Sequence, residues 1–119
     1  MLFINFFKKI KILYILFVFA IIDSIHAQKI YSVDYVTQAD IKVFVVDYQS
    51  QSDLKVYKVN YGNQAKNNSG LWYFVDYESQ AEKTIYFVDY KSQADLLIYF
   101  VDYKNQAGWI NNSKKHLLF

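Results

Sequence analysis

Cysteine and proline are absent from this 119-residue chain, arginine is missing, and glycine occurs three times. Without cysteine there is no disulfide, thiol nucleophile, lipid-modified cysteine or thiolate metal site. A small exported domain with a thin core often depends on disulfides, so here hydrogen bonds, aromatic burial or partner subunits must do that work. Because all thirteen basic residues are lysine, bidentate recognition of phosphate or carboxylate is excluded. With so little glycine and no proline, chain reversals fall to Asn, Ser, Gln and Asp through local side-chain to backbone bonds.

What is present begins with MLFINFFKKIKILYILFVFAIIDSIHAQ. Lys8, Lys9 and Lys11 precede an apolar run from Ile12 to Ile22, and a short segment ends at Ala27. That is the layout of a secretory signal, and residues 1–27 are expected to be removed, leaving Gln28 first. A retained anchor is the alternative. Eleven helical residues span only about 17 Å against a hydrocarbon core of about 30 Å. Removal takes away Lys8, Lys9, Lys11 and Asp23, so ten lysines face ten acids in the remainder. A neutral body with no basic stripe is a poor nucleic-acid ligand. The membrane enters this reading only through the signal before cleavage.

From residue 28 to 108 one phrase is repeated six times. The Asp-Tyr pair recurs as Asp34-Tyr35, Asp47-Tyr48, Asn60-Tyr61, Asp76-Tyr77, Asp89-Tyr90 and Asp102-Tyr103, in steps of 13, 13, 16, 13 and 13. Three residues after each tyrosine stands Gln38, Gln51, Gln64, Gln80, Gln93 or Gln106. A small residue follows, and then an acid in four copies: Asp40, Asp53, Glu82 and Asp95. The intervening runs, such as IKVFVVDY (41–48) and LLIYFVDY (96–103), are β-branched and aromatic, which favours strands. Apolar spacing at 3.6 is missing, so helix is the weaker reading. Internal repetition governs the fold expectation.

At period two, the last full copy puts Leu97, Tyr99, Val101 and Tyr103 on one face and Leu96, Ile98, Phe100 and Asp102 on the other. Neither is an ordinary solvent face, so the sheet must curl on itself or meet a partner. Thirteen residues leave a strand of seven or eight and a turn of about five. Parallel neighbours need a crossover of a dozen or more residues. The expectation is therefore an all-β fold of six short antiparallel strands, as a meander or partly closed sheet, with a small β-solenoid as the alternative. The 16-residue step, three residues longer than the others, runs through Lys66, Asn67, Asn68, Ser69 and Gly70 and divides the body into two three-strand halves. Residues 109–119 read as a basic and apolar C-terminal tail.

In a meander, three of the five aspartates would lie at one rim and two at the other. Their expected role, with the glutamine column, is to cap turns: Asp34, Asp47, Asp76, Asp89 and Asp102 with Gln38, Gln51, Gln64, Gln80, Gln93 and Gln106. Tyr48, Tyr61, Trp72, Tyr77, Tyr90, Tyr103 and Trp109 are the candidate interaction surface. Enzyme signatures are missing, and no catalytic, metal or cofactor residue is expected. For a small hydrolase, the least favoured reading, the candidates are Asp47, Asp89 and His116, the sole histidine after the signal. The segment QADLLIYFVDYKNQAGW (93–109) resembles a family of short, uncharacterised exported proteins of Bacteroidota. That resemblance implies an envelope or extracellular location and a β-rich fold, with no activity attached. The functional expectation is a non-catalytic structural or protein-interaction module in the periplasm, on the outer surface or outside the cell. It would bind itself or an envelope protein, or alternatively a glycan.

Overall fold

The computed structural model describes residues 28–119; the expected signal lies outside the described residues. Each repeat delivers one strand: β1 (Lys29–Ser32), β2 (Ile41–Val45), β3 (Leu54–Lys58), β4 (Leu71–Phe74), β5 (Lys83–Phe87) and β6 (Leu96–Phe100). A three-residue 3-10 turn follows each, and a two-residue β7 (Gly108–Trp109) and a 3-10 segment, Asn112–Leu118, complete the chain.

The strands are not an antiparallel meander, nor a solenoid. All six pair in parallel, in the circular order β1, β5, β2, β6, β3, β4 and back to β1. The sheet is a closed six-stranded barrel. The first three strands occupy alternate places around the axis, and the next three fill the gaps on a second lap.

The crossover rule behind the antiparallel expectation applies to parallel strands that are adjacent in space. Here consecutive strands are not adjacent, except β3 and β4. Strong stagger makes short connections sufficient. Ser32 and Ile41 are both in register with Ile85 of the intervening β5, so β2 begins level with the end of β1. The same holds at Val45 and Leu54, both facing Ile98, and at Phe87 and Leu96, both facing Val43. The chain never runs back along the sheet. It steps sideways over one strand, about 9.5 Å, which the eight residues 33–40 cover easily. Equivalent residues slip by two at every interface, giving a steep barrel with a shear of about twelve.

Gaps between laps close at one place only. The 16-residue step carries the chain from β3 to its neighbour β4, a single place instead of two, so the inserted residues switch laps. Gly70 sits at that switch with φ 86°, and a Cβ there would collide with the Lys55 carbonyl oxygen. No side chain fits. The two three-strand halves read from the sequence are thus interleaved rather than side by side.

Inside the barrel, Ile30, Val43, Val56, Trp72, Ile85 and Ile98 form one fully buried ring, one residue from each repeat. Ile41, Leu54 and Leu96 lie toward the strand starts, joined by Leu118 from the tail. Each such side chain removed from water contributes roughly 1.5–3 kcal/mol. Val33, Val46, Val59, Val75, Val88 and Val101 extend the ladder past the strand ends, each donating its N–H to the neighbouring repeat at 2.8–2.9 Å.

Candidate surface at the barrel mouth

Because every strand runs the same way, the five Asp-Tyr pairs and Asn60-Tyr61 gather at one end. The expected division of aspartates between two rims is wrong, for the same reason that the meander is wrong. Around this finishing end the order is Asp34, Asp89, Asp47, Asp102, Asn60 and Asp76. All are exposed. Among the described residues, no hydrogen bond or ion pair engages their side chains, and no group of three or more acids or histidines is placed to hold a metal ion.

The tyrosine beside each of them starts the 3-10 turn. Its φ lies between −124° and −133°, with ψ from 134° to 143°. Its carbonyl accepts the N–H of the glutamine three residues on, at 3.0–3.1 Å. Tyr35, Tyr48, Tyr61, Tyr77, Tyr90 and Tyr103 are each 67–68 % exposed. Six equal local structures thus present six phenols around one mouth. Of the glutamines, Gln64 makes a side-chain bond to its own turn: its Oε1 accepts from the N–H groups of Asn60 and Tyr61, both at 3.2 Å.

The floor of the mouth differs between laps. The last strand residues of the second lap are Phe74, Phe87 and Phe100; those of the first are Ser32, Val45 and Lys58. Going round the barrel the two sets alternate, so bulky rings sit between smaller or flexible side chains, a usual way to fill a narrow barrel. Lys58 reaches across the rings, its Nζ 4.4 Å from the Phe100 centroid and 5.4 Å from that of Phe74.

Both tryptophans of the expected surface lie elsewhere. Trp72 is fully buried inside the barrel, its indole N–H without a partner among the described residues. Trp109 is half-buried at the lap switch, where β7 pairs antiparallel with β3, and its Nε1–H donates to the Asn68 carbonyl at 3.0 Å. The hydrolase candidates also separate. Asp47 and Asp89 are on adjacent strands at the finishing end, whereas His116 is in the tail at the other end, its Nδ1 2.9 Å from the Ser113 carbonyl oxygen.

That starting end is closed. The Asn68 side chain donates to the Lys115 carbonyl at 2.8 Å, and Gln28 Nε2 to that of Leu118 at 3.1 Å. Carboxylates that sequence reasoning left without a role act here. Asp40, Asp53 and Asp95 accept the backbone N–H of Thr84, Leu97 and Lys42 at 2.9–3.0 Å, each stapling a neighbouring strand. Their signal in the sequence was the acid following the small residue in four copies. Asp53 also takes the Asn111 amide at 3.2 Å and lies 3.6 Å from Lys114 Nζ. A cleft of about 850 Å³ remains between residues 67–69 and the tail.

Comparison with known families matches residues 27–110 to the 7(1) septoil knot domain. The chain belongs to that family. Interleaved double winding is the path that a septoil knot domain implies, since the second lap threads between the strands of the first. Knotted chains are exceptional among folds. No curated protein and no solved structure matches the septoil knot domain of this chain.

Proposed function

We propose that the protein is an exported, non-catalytic interaction module that binds another protein surface, its own copies included, through the tyrosine ring at the barrel mouth. One observation carries this reading: six phenols equally exposed in the same backbone setting, five of them beside an exposed aspartate whose side chain makes no hydrogen bond or ion pair among the described residues. The buried valines, the 3-10 turns and the stapling acids account for the fold without them. Exposed tyrosine offers large contact area at low conformational cost, which suits protein recognition. Export rests on the signal-like residues 1–27 and on the resemblance carried by residues 93–109. Glycan binding is the second reading; it retains the tyrosines and half-buried Trp109, but Trp72 is fully buried inside the barrel.

Sedimentation of the wild type against Tyr48→Ser/Tyr90→Ser/Tyr103→Ser tests the proposal. The wild type gains mass with concentration or with added envelope protein, and the triple variant melts at an unchanged temperature but loses that gain. Equal association by both proteins would overturn it. A tyrosine absorbance change on adding polysaccharide, in the absence of any protein contact, would favour the glycan.

A further inference from the structure

The mature body is electrically neutral in sum, but its charges are sorted along the barrel axis. At the finishing end stand the five rim aspartates and Glu78, against Lys58, Lys91 and Lys104. Lys29, Lys42, Lys55 and Lys83 are the first or second residues of their strands, and Lys114 and Lys115 lie in the tail packed there. Lys66 lies between the ends, in a cleft it shares with Tyr61 and Lys104. Opposing the six lysines of the tail end are Asp40, Asp53, Glu82 and Asp95, of which three are already bound to strand N–H groups. The mouth therefore has an excess of three negative charges and the tail end an excess of two positive. Among the described residues the sole ion pair is Lys114–Asp53, so none of them neutralises a rim carboxylate. Apolar surface is sorted to match. The tail end exposes Phe119, 77 % accessible, and Ile110, and the mouth offers three phenylalanines beneath the tyrosines.

We infer that the partner of the mouth is the tail end of a second copy, so that molecules stack head to tail along the barrel axis. This rests on the proposed self-associating module and names its interface. Acidic rim meets basic tail, with Phe119 and Ile110 against the aromatic floor. A contact between two different surfaces of one chain does not close on itself, so it generates linear stacks rather than a dimer. Complementary fields also make assembly sensitive to salt, since the Debye length falls from about 10 Å at 0.1 M to about 3 Å at 1 M.

The test uses protein purified from an exporting host, as processed there, in two charge-reversed forms. Asp47→Lys/Asp102→Lys alters the mouth, and Lys83→Glu/Lys115→Glu, two residues that line one cleft with Phe119, alters the tail end. Circular dichroism melts establish that both fold. In sedimentation the wild type forms a concentration-dependent ladder that weakens at least about tenfold from about 0.1 to 1 M salt. Each variant alone is weakened to a similar degree, and an equimolar mixture recovers the ladder, because each reversed face then meets its complement. Recovery fails if the two faces do not meet, which overturns the inference. Variants that assemble like the wild type leave self-association standing and remove the head-to-tail interface. A wild type that stays monomeric at every concentration removes both.

Discussion

The two ends of the barrel use the same residue type for opposite purposes. At the starting end, Asp40, Asp53 and Asp95 each bind a backbone N–H of the next strand, and the tail seals what remains with Leu118. At the finishing end, five aspartates of the same repeat stand exposed. One repeat thus separates an aspartate that holds the fold from one the fold does not engage. The lesson is that recurrence in a repeat does not identify the structural residue; the bond it makes does.

Substitutions at the two ends should differ in cost, and the largest effect falls on the lap switch at the starting end. Gly70→Ala places a methyl against the Lys55 carbonyl oxygen at a positive φ. The expected loss is about 4 kcal/mol or more, or failure to fold, read from denaturant unfolding. Leu118→Ala leaves a cavity in the sealed end and costs about 3 kcal/mol in the same measurement. Asp53→Ala frees the Leu97 N–H and the Asn111 amide and costs about 2–3 kcal/mol. Its counterpart Asp102→Ala, one acid of the open end, changes stability by less than about 0.5 kcal/mol. Equal costs for Asp53 and Asp102 would erase the distinction between the ends.

Local structure was legible in the sequence. The number and position of the six strands and their two faces were readable, but the strands are four or five residues long rather than seven or eight, and the connections are longer than the expected five. The face of Leu96, Ile98 and Phe100 is the one that turns inward: Leu96 and Ile98 are fully buried. The strand order was not legible, for a physical reason. Six near-identical segments make every copy an equally good partner for every other by side-chain pattern, so pairing is decided by connection length and stagger. The two-residue slip that lets eight residues link nonadjacent strands leaves no mark in composition. The one asymmetry is the insertion before Leu71, and its meaning emerges only once the laps are seen. The tyrosine columns were recognised, whereas Trp72 was misplaced because its position, equivalent to Ile30 and Ile85, belongs to the inward face.

The interleaved parallel order of the strands can be read from a cross-link. In this cysteine-free chain, Lys42→Cys and Tyr86→Cys are in register on neighbouring β2 and β5, close enough for a disulfide. That pair should close rapidly on mild oxidation, while Lys42→Cys with Tyr57→Cys, on consecutive strands held apart by β6, should stay reduced. Rapid closure of the consecutive pair, with the β2–β5 pair inert, would contradict the barrel.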